Sequence, residues 1–364
     1  MLEPDRFRFG IEHEYGIIDA EGRWRDFTNA TFEEYTRVID ALPLIASDAQ
    51  TLRTGDLGIK AKRWYIEGFE RFSDTGEYLR TIPKGFEIRT PICASLDAAV
   101  DTLIADFARW QTAAAPYGYH AARCSLNPLQ TEYVCDPPLN DWEIVDRATP
   151  EEQTAHIHML TYGPDVSFSH PDCDLDACYD IACKLTYYSP WIVPFSFTSP
   201  FYGGSLWGGY SRRTYYRTGP RPSVLMFTDR TDRIIPSFPT LMDTARIPAE
   251  AGRIEFKAFD CPRQLDAFRA LGALLLGVVL DDSLNGRATV PHAATHRLAA
   301  EYAFDDPDIR EGAATVLAAA RAALPLGWAR ELDPLDDMLA QRRTPAHDMI
   351  RIYRETGDIL SAIA

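Results

Sequence analysis

The segment Phe7-Arg8-Phe9-Gly10-Ile11-Glu12-His13-Glu14-Tyr15-Gly16-Ile17 alternates apolar and polar residues along its length. Side chains of a strand point to opposite faces in turn. A strand here places Phe7, Phe9, Ile11, His13, Tyr15 and Ile17 on one side, and Arg8, Gly10, Glu12, Glu14 and Gly16 on the other. The first set is a core face carrying one histidine. The second presents two carboxylates side by side, between glycines that leave the space above them empty. A solvated strand face would also carry two glutamates, but it has no need of the glycines. Like charges held close and partly buried raise each other's pKa. A divalent cation relieves them, and Mg²⁺ takes oxygen ligands while keeping positions free for phosphate oxygens.

Other segments repeat the pattern. In Gly85-Phe86-Glu87-Ile88-Arg89, Phe86 and Ile88 face inward while Glu87 and Arg89 share the opposite face. In Arg253-Ile254-Glu255-Phe256-Lys257-Ala258-Phe259, Arg253, Glu255 and Lys257 form a charged face over an apolar back. An ordinary cross-strand ion pair, worth little at a surface, is the plain alternative for both. His156-Ile157-His158, in a strand predicted over Thr154 to Leu160, would put two imidazoles on one side. Zinc fits poorly, since the chain has neither HExxH nor a CxxC pair. Cys173, Cys178 and Cys183 are spaced by five in a helix-like stretch and drift around it, so they read as small core residues. Together, four strands with acidic or histidine faces and apolar backs suit a sheet whose concave side holds metals and a polyphosphate. The chain has no GxxxxGK[ST] and no GxGxxG opening a helix.

Further strands are predicted over Arg6 to Ile18, Lys60 to Phe72, Glu77 to Thr81, Gly85 to Ile92 and Arg253 to Phe259, with a hairpin turn at Ser73-Asp74-Thr75-Gly76. Ser95 caps a helix over Leu96 to Ala114. From about Pro262 the chain reads as helical: Gln264 to Leu284, Ala293 to Phe304, Ile309 to Leu324 and Thr344 to Ile363. The strands follow no βαβ rhythm. The fold class is therefore α+β, a largely antiparallel sheet with helices grouped on one side. No linker divides the 364 residues, so we read one catalytic domain over 1–364, its sheet-forming body about 1–262 and its helical part about 263–364.

Composition narrows the partners. The net charge of −16 opposes nucleic acid, whose phosphates want a basic face. It also suits anionic lipid poorly. The longest apolar stretch, about Leu271 to Leu280, is too short to span a bilayer. Charges and a proline occupy the N-terminal residues where an export signal would place its apolar core, and seven cysteines favour reduced thiols. The expectation is a cytoplasmic protein.

Ser199 to Arg221, SPFYGGSLWGGYSRRTYYRTGPR, carries five glycines, four arginines and four tyrosines. It suits a loop whose backbone and guanidinium groups meet an anion, or a surface Arg/Tyr loop. At this point a resemblance enters. FGIEHEYGIID resembles the N-terminal GxExE strand of glutamate–cysteine ligase family 2, the carboxylate–amine ligases within the glutamine synthetase-like superfamily. FEIRTPICAS resembles that family's second acidic strand, and AHIHM its His-x-His strand. SPFYGG and GGYSRRTYYR resemble its Ser-Pro segment and Arg-bearing loop. GRIEFKAFDCP resembles its late Glu-x-Arg…Asp strand, and RIYRETGDILSAI its last helix. The matches run in the family's order and cover nearly the whole chain.

The resemblance implies a mainly antiparallel sheet curved into a partial barrel, the glutamine synthetase-like catalytic fold, holding ATP and two or three Mg²⁺ or Mn²⁺. It implies Glu12, Glu14, Glu87, His156 and Glu255 as metal ligands. It places His158 and Ser199 at the nucleotide, and Arg212, Arg217 and Lys257 at phosphate or the substrate carboxylate, with Arg212 and Lys257 as catalytic residues. Lys257 stands where the family has an arginine, so a point charge replaces a planar fork. Arg89 also departs from the family and suits an extra carboxylate. The implied reaction is ATP-dependent amide formation, of gamma-glutamyl type by default. A substrate carboxylate gives an acyl phosphate, which an amine then attacks. The implied partners are small-molecule acids and amines, amino acids foremost; homo-oligomers stay open. Two rivals remain: a guanidino-kinase-like phosphotransferase, which stops after phosphoryl transfer, and a catalytically idle nucleotide-binding protein on the same fold.

Overall fold

The computed structural model describes residues 2–52 and 60–364. Its strands are β1 (Arg8–Ile18), β2 (Trp24–Arg25), β3 (Trp64–Phe72), β4 (Tyr78–Arg89), β5 (His120–Ala122), β6 (Pro164–Ser169), β7 (Phe201–Tyr202), β8 (Ser205–Leu206), β9 (Val224–Thr228), β10 (Met242–Thr244) and β11 (Ile254–Phe256). The main sheet runs β10-β9-β11-β6-β1-β4-β3, with β2 and β5 also pairing on β1. All its pairs are antiparallel except β10 with β9. The sheet curls into a half-barrel, and the class is α+β.

The helices used below are α1 (Phe32–Asp40), α2 (Leu96–Ala114), α3 (Asp141–Asp146), α4 (Pro150–Gln153), α5 (Ala155–Leu160), α6 (Leu175–Ile192), α7 (Arg212–Arg217), α8 (Ala267–Leu280), α9 (Ala293–Tyr302), α10 (Pro307–Ala323), α11 (Leu326–Arg330), α12 (Asp333–Ala340), α13 (Pro345–Thr356) and α14 (Ile359–Ile363). Helices α2 and α6 pack against the sheet, and α8 packs between them and α10. Helix α2 starts where Ser95 accepts from the Ala98 amide. It buries Val100, Leu103, Phe107 and Trp110 against Tyr15, Phe86 and Ile88. Helix α8 is apolar almost all round and accordingly buried.

The alternation of β1 is realised: Phe9, Ile11, His13, Tyr15 and Ile17 are buried in the core. His13 stacks on Tyr15 at 4.3 Å and meets the Phe268 edge. Burial pushes its pKa down to about 3, so the ring is a neutral core group.

Several expectations are corrected. Thr154 to Leu160 is no strand: Ala155–Leu160 is helical, because the adjacent Met159 and Leu160 are both buried and break a period of two. The strand beside β1 is instead β6. The strands read at Glu77 to Thr81 and Gly85 to Ile92 merge into one, β4, which stops at Arg89. The Lys60 strand begins at Trp64, since Lys62 turns aside to donate to Ile39 O at 2.6 Å, beside the end of α1. Cys173 lies before α6, whose N-cap is Asp174. The last helix breaks at Gly357, with φ 70°, into α13 and α14. The Ser199–Arg221 segment is partly ordered as the β7–β8 hairpin and α7. Gly16 does not leave open space. A Cβ there would lie 2.1 Å from the Trp24 ring, which covers that end of β1.

Candidate active site

Register builds the site. Glu12 lies opposite Arg89 on β4 and Asp165 on β6, and Glu14 lies opposite Glu87. Glu87 in turn lies opposite Tyr65 on β3, and Glu255 opposite Ser167. Gly85 permits this closeness, since a Cβ there would stand 2.1 Å from Tyr15 O. One face thus collects Glu12, Glu14, Glu67, Glu87, Asp165 and Glu255.

Two groups form within it. In the first, oxygens of Glu14 and Glu67 and a nitrogen of His158 lie within 4.8 Å of one another. His158 Nε2 is 2.7 Å from Glu67 Oε1. A carboxylate only accepts, so Nε2 carries the proton and Nδ1 is left to accept from Lys84 Nζ at 3.3 Å. Lys84 is fully buried. It also donates to Glu14 Oε1 at 2.8 Å and to the carbonyls of His158 and Thr161 at 2.9 and 2.8 Å. The Gly163 amide donates to Glu14 Oε2 at 2.8 Å. Burial opposes the charge on Glu67, yet Lys60 and His158 hold its carboxyl well below the usual range. Burial and then Lys84 lower the pKa of His158, against the pull of Glu67.

In the second group Glu12, Asp165 and Glu255 converge within the same 4.8 Å. Lys257 Nζ donates to Asp165 Oδ2 at 2.5 Å and to Glu255 Oε2 at 3.2 Å. The Arg253 guanidinium lies 3.8 Å from Glu12 and 3.5 Å from Glu255. Burial raises Glu255 to about 7, although Lys257 and Arg253 favour its charge. In Glu12 the cations win: burial opposes, but Arg253, Lys257 and Arg89 lower its pKa.

Between the groups sits Glu87, 6% exposed. Burial, then the charges of Glu67, Glu12 and Glu14, push its pKa well above the usual carboxylate range. Among the described residues no donor reaches its carboxylate. An oxygen-rich set with one imidazole, and a buried carboxylate short of a positive partner, is the chemistry that Mg²⁺ or Mn²⁺ satisfies.

The expected residues are not all gathered here. Glu12, Glu14, Glu87, Glu255, His158 and Lys257 are. His156 is not: positions two apart on a helix point away from each other, so it is exposed on α5 beside Arg221. Ser199 is buried and donates to Asp260 Oδ2 at 2.7 Å. The same Asp260 accepts from the Thr198 amide at 2.9 Å and Ser211 Oγ at 3.1 Å, with Arg213 at 3.8 Å. Ser199 therefore staples its segment to the stretch that follows β11. Arg212 is held over Tyr202, Tyr215 and Trp207 at 4.5, 5.0 and 5.5 Å. Arg217 is buried in a small cavity with Thr214, Ser223 and His296. Sequence reading missed Glu67, Lys84, Asp165 and Asp260. For Asp165 a signal existed, since Asp165-Val166-Ser167-Phe168 alternates. Lys84 has none, because only the fold brings its acceptors together.

No protein-family profile and no curated protein matches the chain. Solved structures do. The glutamate–cysteine ligase of Francisella tularensis, in complex with AMP, aligns over 98% of this chain and 87% of its own at 11% identity and TM-score 0.56. The complex of the prokaryotic ubiquitin-like protein Pup with its ligase PafA aligns over 98% and 70%, at 12% identity and TM-score 0.55. A bifunctional glutathione synthetase from Pasteurella multocida aligns over 98% and 51%, at 13% identity and TM-score 0.57. The chain shares its overall fold with these three structures. Among the described residues, no helix is long and apolar enough to cross a membrane.

Proposed function

We propose that this protein is an ATP-dependent ligase that joins a carboxylate to an amine through an acyl phosphate, with residues 1–364 as one catalytic domain. Glutamate and cysteine are the first pair to test. The sequence motifs support that choice, as does a neighbour that is itself a glutamate–cysteine ligase. The observation that carries the reading is the single concave face on which Glu12, Glu14, Glu67, Glu87, Asp165, Glu255 and His158 meet. These residues would hold divalent cations, with His158, Glu67 and Asp165 replacing His156 in the set implied by the motifs. When bound, such ions spread the charge of the transferring phosphoryl group.

The chain's own groups position the rest. Lys84 fixes Glu14 and His158, and Lys257 fixes Asp165 and Glu255, so the ligands are set before the nucleotide arrives. The substrate carboxylate attacks the γ-phosphorus of ATP and ADP leaves. The amine then attacks the acyl carbon, phosphate leaves, and the amine proton passes to a carboxylate of the face. Arg212, held by its aromatic neighbours, is proposed to meet anionic substrate groups from the α7 side, and Arg217 to support it. The test is phosphate release from Mg-ATP across a matrix of acids and amines, with product mass as readout. Glu12→Gln and Glu255→Gln should each abolish release while leaving the fold intact. Full turnover in both variants would refute the reading.

A further inference from the structure

The small cavity around Arg217 lies off the acidic face. It is lined by Thr214, Arg217, Thr218, Arg221, Ser223 and His296, and Ala258, a core residue, closes one side. Among the described residues no carboxylate lines it. Its volume is about 10 Å³, room for one body about the size of a water molecule. A phosphate or a substrate carboxylate is too large for it.

The donors facing it can be traced one by one. Thr214 is 2% exposed, and its hydroxyl has no hydrogen-bond partner among the described residues. Thr218 spends its hydroxyl proton on Thr214 O. Ser189 Oγ donates to Thr186 O at 2.8 Å. It must therefore accept from His296 Nε2, also at 2.8 Å, so that nitrogen carries the ring proton. Ser223 Oγ, 3.4 Å from the same nitrogen, meets no lone pair there, and its own proton is left for the cavity. Burial and then the charge of Arg217 push the pKa of His296 down to about 3, so the ring is neutral. Arg217 is itself buried. A guanidinium has five donors, so partners elsewhere still leave it donors for the cavity. The lining thus offers hydroxyl and guanidinium donors and no anion. A buried polar group without a partner is costly, and a single-atom anion completes this set.

We propose that the cavity binds a chloride ion. The ion joins Thr214 and Arg217 of α7 to Ser223, which directly precedes β9. Helix α7 begins with Arg212, so the ion helps to fix how that guanidinium is presented. This positioning role rests on the ligase reading; the binding of the ion does not.

The test is thermal melting of the full chain in sodium chloride and in sodium gluconate at equal ionic strength, without nucleotide. Thr214→Val keeps the shape and removes the hydroxyl, so it reports only the general effect of the salts. Relative to that variant, the wild type should gain about 2 °C at a chloride concentration ten times the dissociation constant. Bromide should act as chloride does, and inorganic phosphate should not. Ser223→Ala should lose the gain as well, and it decides the matter where Thr214→Val does not fold. Crystals soaked in bromide should show an anomalous peak within reach of Thr214 Oγ1 and Arg217. No halide-specific gain, a gain kept in full by a folded variant, or a cavity holding water only would overturn the proposal. A bromine peak without a gain in solution would mean binding at crystal concentration only and would overturn it too. Phosphate release from Mg-ATP separates the two readings. A wild-type rate independent of chloride would refute the role given to α7. Release with no acid–amine pair would refute the ligase reading and leave the chloride site standing.

Discussion

At the scale of the residue, the decisive group is Glu87. The cation that acts on it, Lys60, also pairs with Glu67, at 3.6 Å. Lys60 favours the charge of Glu87, but burial and the charges of Glu67, Glu12 and Glu14 outweigh that. Glu87→Gln should leave the nucleotide-free melting temperature unchanged or higher and reduce Mg-ATP-dependent phosphate release by at least ~100-fold. Calorimetry and a phosphate assay on one preparation check both. Glu143 is the opposite case. It accepts from Arg71 Nε at 2.7 Å and from the amides of Phe72 and Asn140 at 3.0 Å each. Burial works against its charge, but these donors lower its pKa from 4.5 to about 2. A depressed carboxylate stabilises the fold above its unfolded pKa and loses that contribution as pH falls through the folded value. Glu143→Gln should therefore cost about 3 kcal/mol at pH 7. The gap to wild type should close between about pH 4.5 and 2, as followed by urea denaturation.

At the scale of the element, the strands carrying Glu12, Glu14, Glu87 and Glu255 were legible because each alternates strictly, and alternation reports the face directly. The helix Ala155–Leu160 was not, since six residues hold too little of either period. From that helix His158 faces Glu14 and Glu67, while His156, read on the same side of the mistaken strand, is exposed. Glu67 lay inside a predicted strand but went unread. Its place at the site depends on the β3–β4 register, which shifts at Glu67/Gly68. The segment from Ser199 to Arg221 read as a loop that meets an anion or as a surface Arg/Tyr loop. Its first serine serves Asp260, a contact between residues too far apart in sequence to be foreseen. Asp260→Ala removes the shared acceptor and leaves Arg213 and two buried hydroxyls without it. A loss of about 3–5 kcal/mol is expected, with new proteolytic cleavage between Ser199 and Arg221 on limited digestion. Unchanged stability and protection would show that the staple holds nothing.

At the scale of the whole molecule, the C-terminal helices pack beside the end of β1. Ile359, Ala362 and Ile363 of α14 are buried with Trp24, Tyr162 and Phe201, and Ile363 O accepts from the Arg123 amide at 2.8 Å. Trp24 is the ring that fills the space over Gly16, two residues from Glu14. Removing residues 358–364 takes away two buried isoleucines, Ile359 and Ile363, each worth about 1.5–3 kcal/mol when fully buried. The shortened chain should melt lower and lose nucleotide binding in proportion. All seven cysteines are free, so a thiol reductant should leave the melting temperature of the full chain unchanged. The central claim is that the cupped sheet holds divalent ions against a nucleotide triphosphate. Its most direct test is anomalous diffraction at the manganese edge from crystals grown with Mn²⁺ and a non-hydrolysable ATP analogue. Manganese peaks bounded by Glu12, Glu14, Glu67, Glu87, His158, Asp165 and Glu255, with the triphosphate on them, are the predicted result. A nucleotide bound elsewhere, or a face that stays free of metal at saturating manganese, would contradict it.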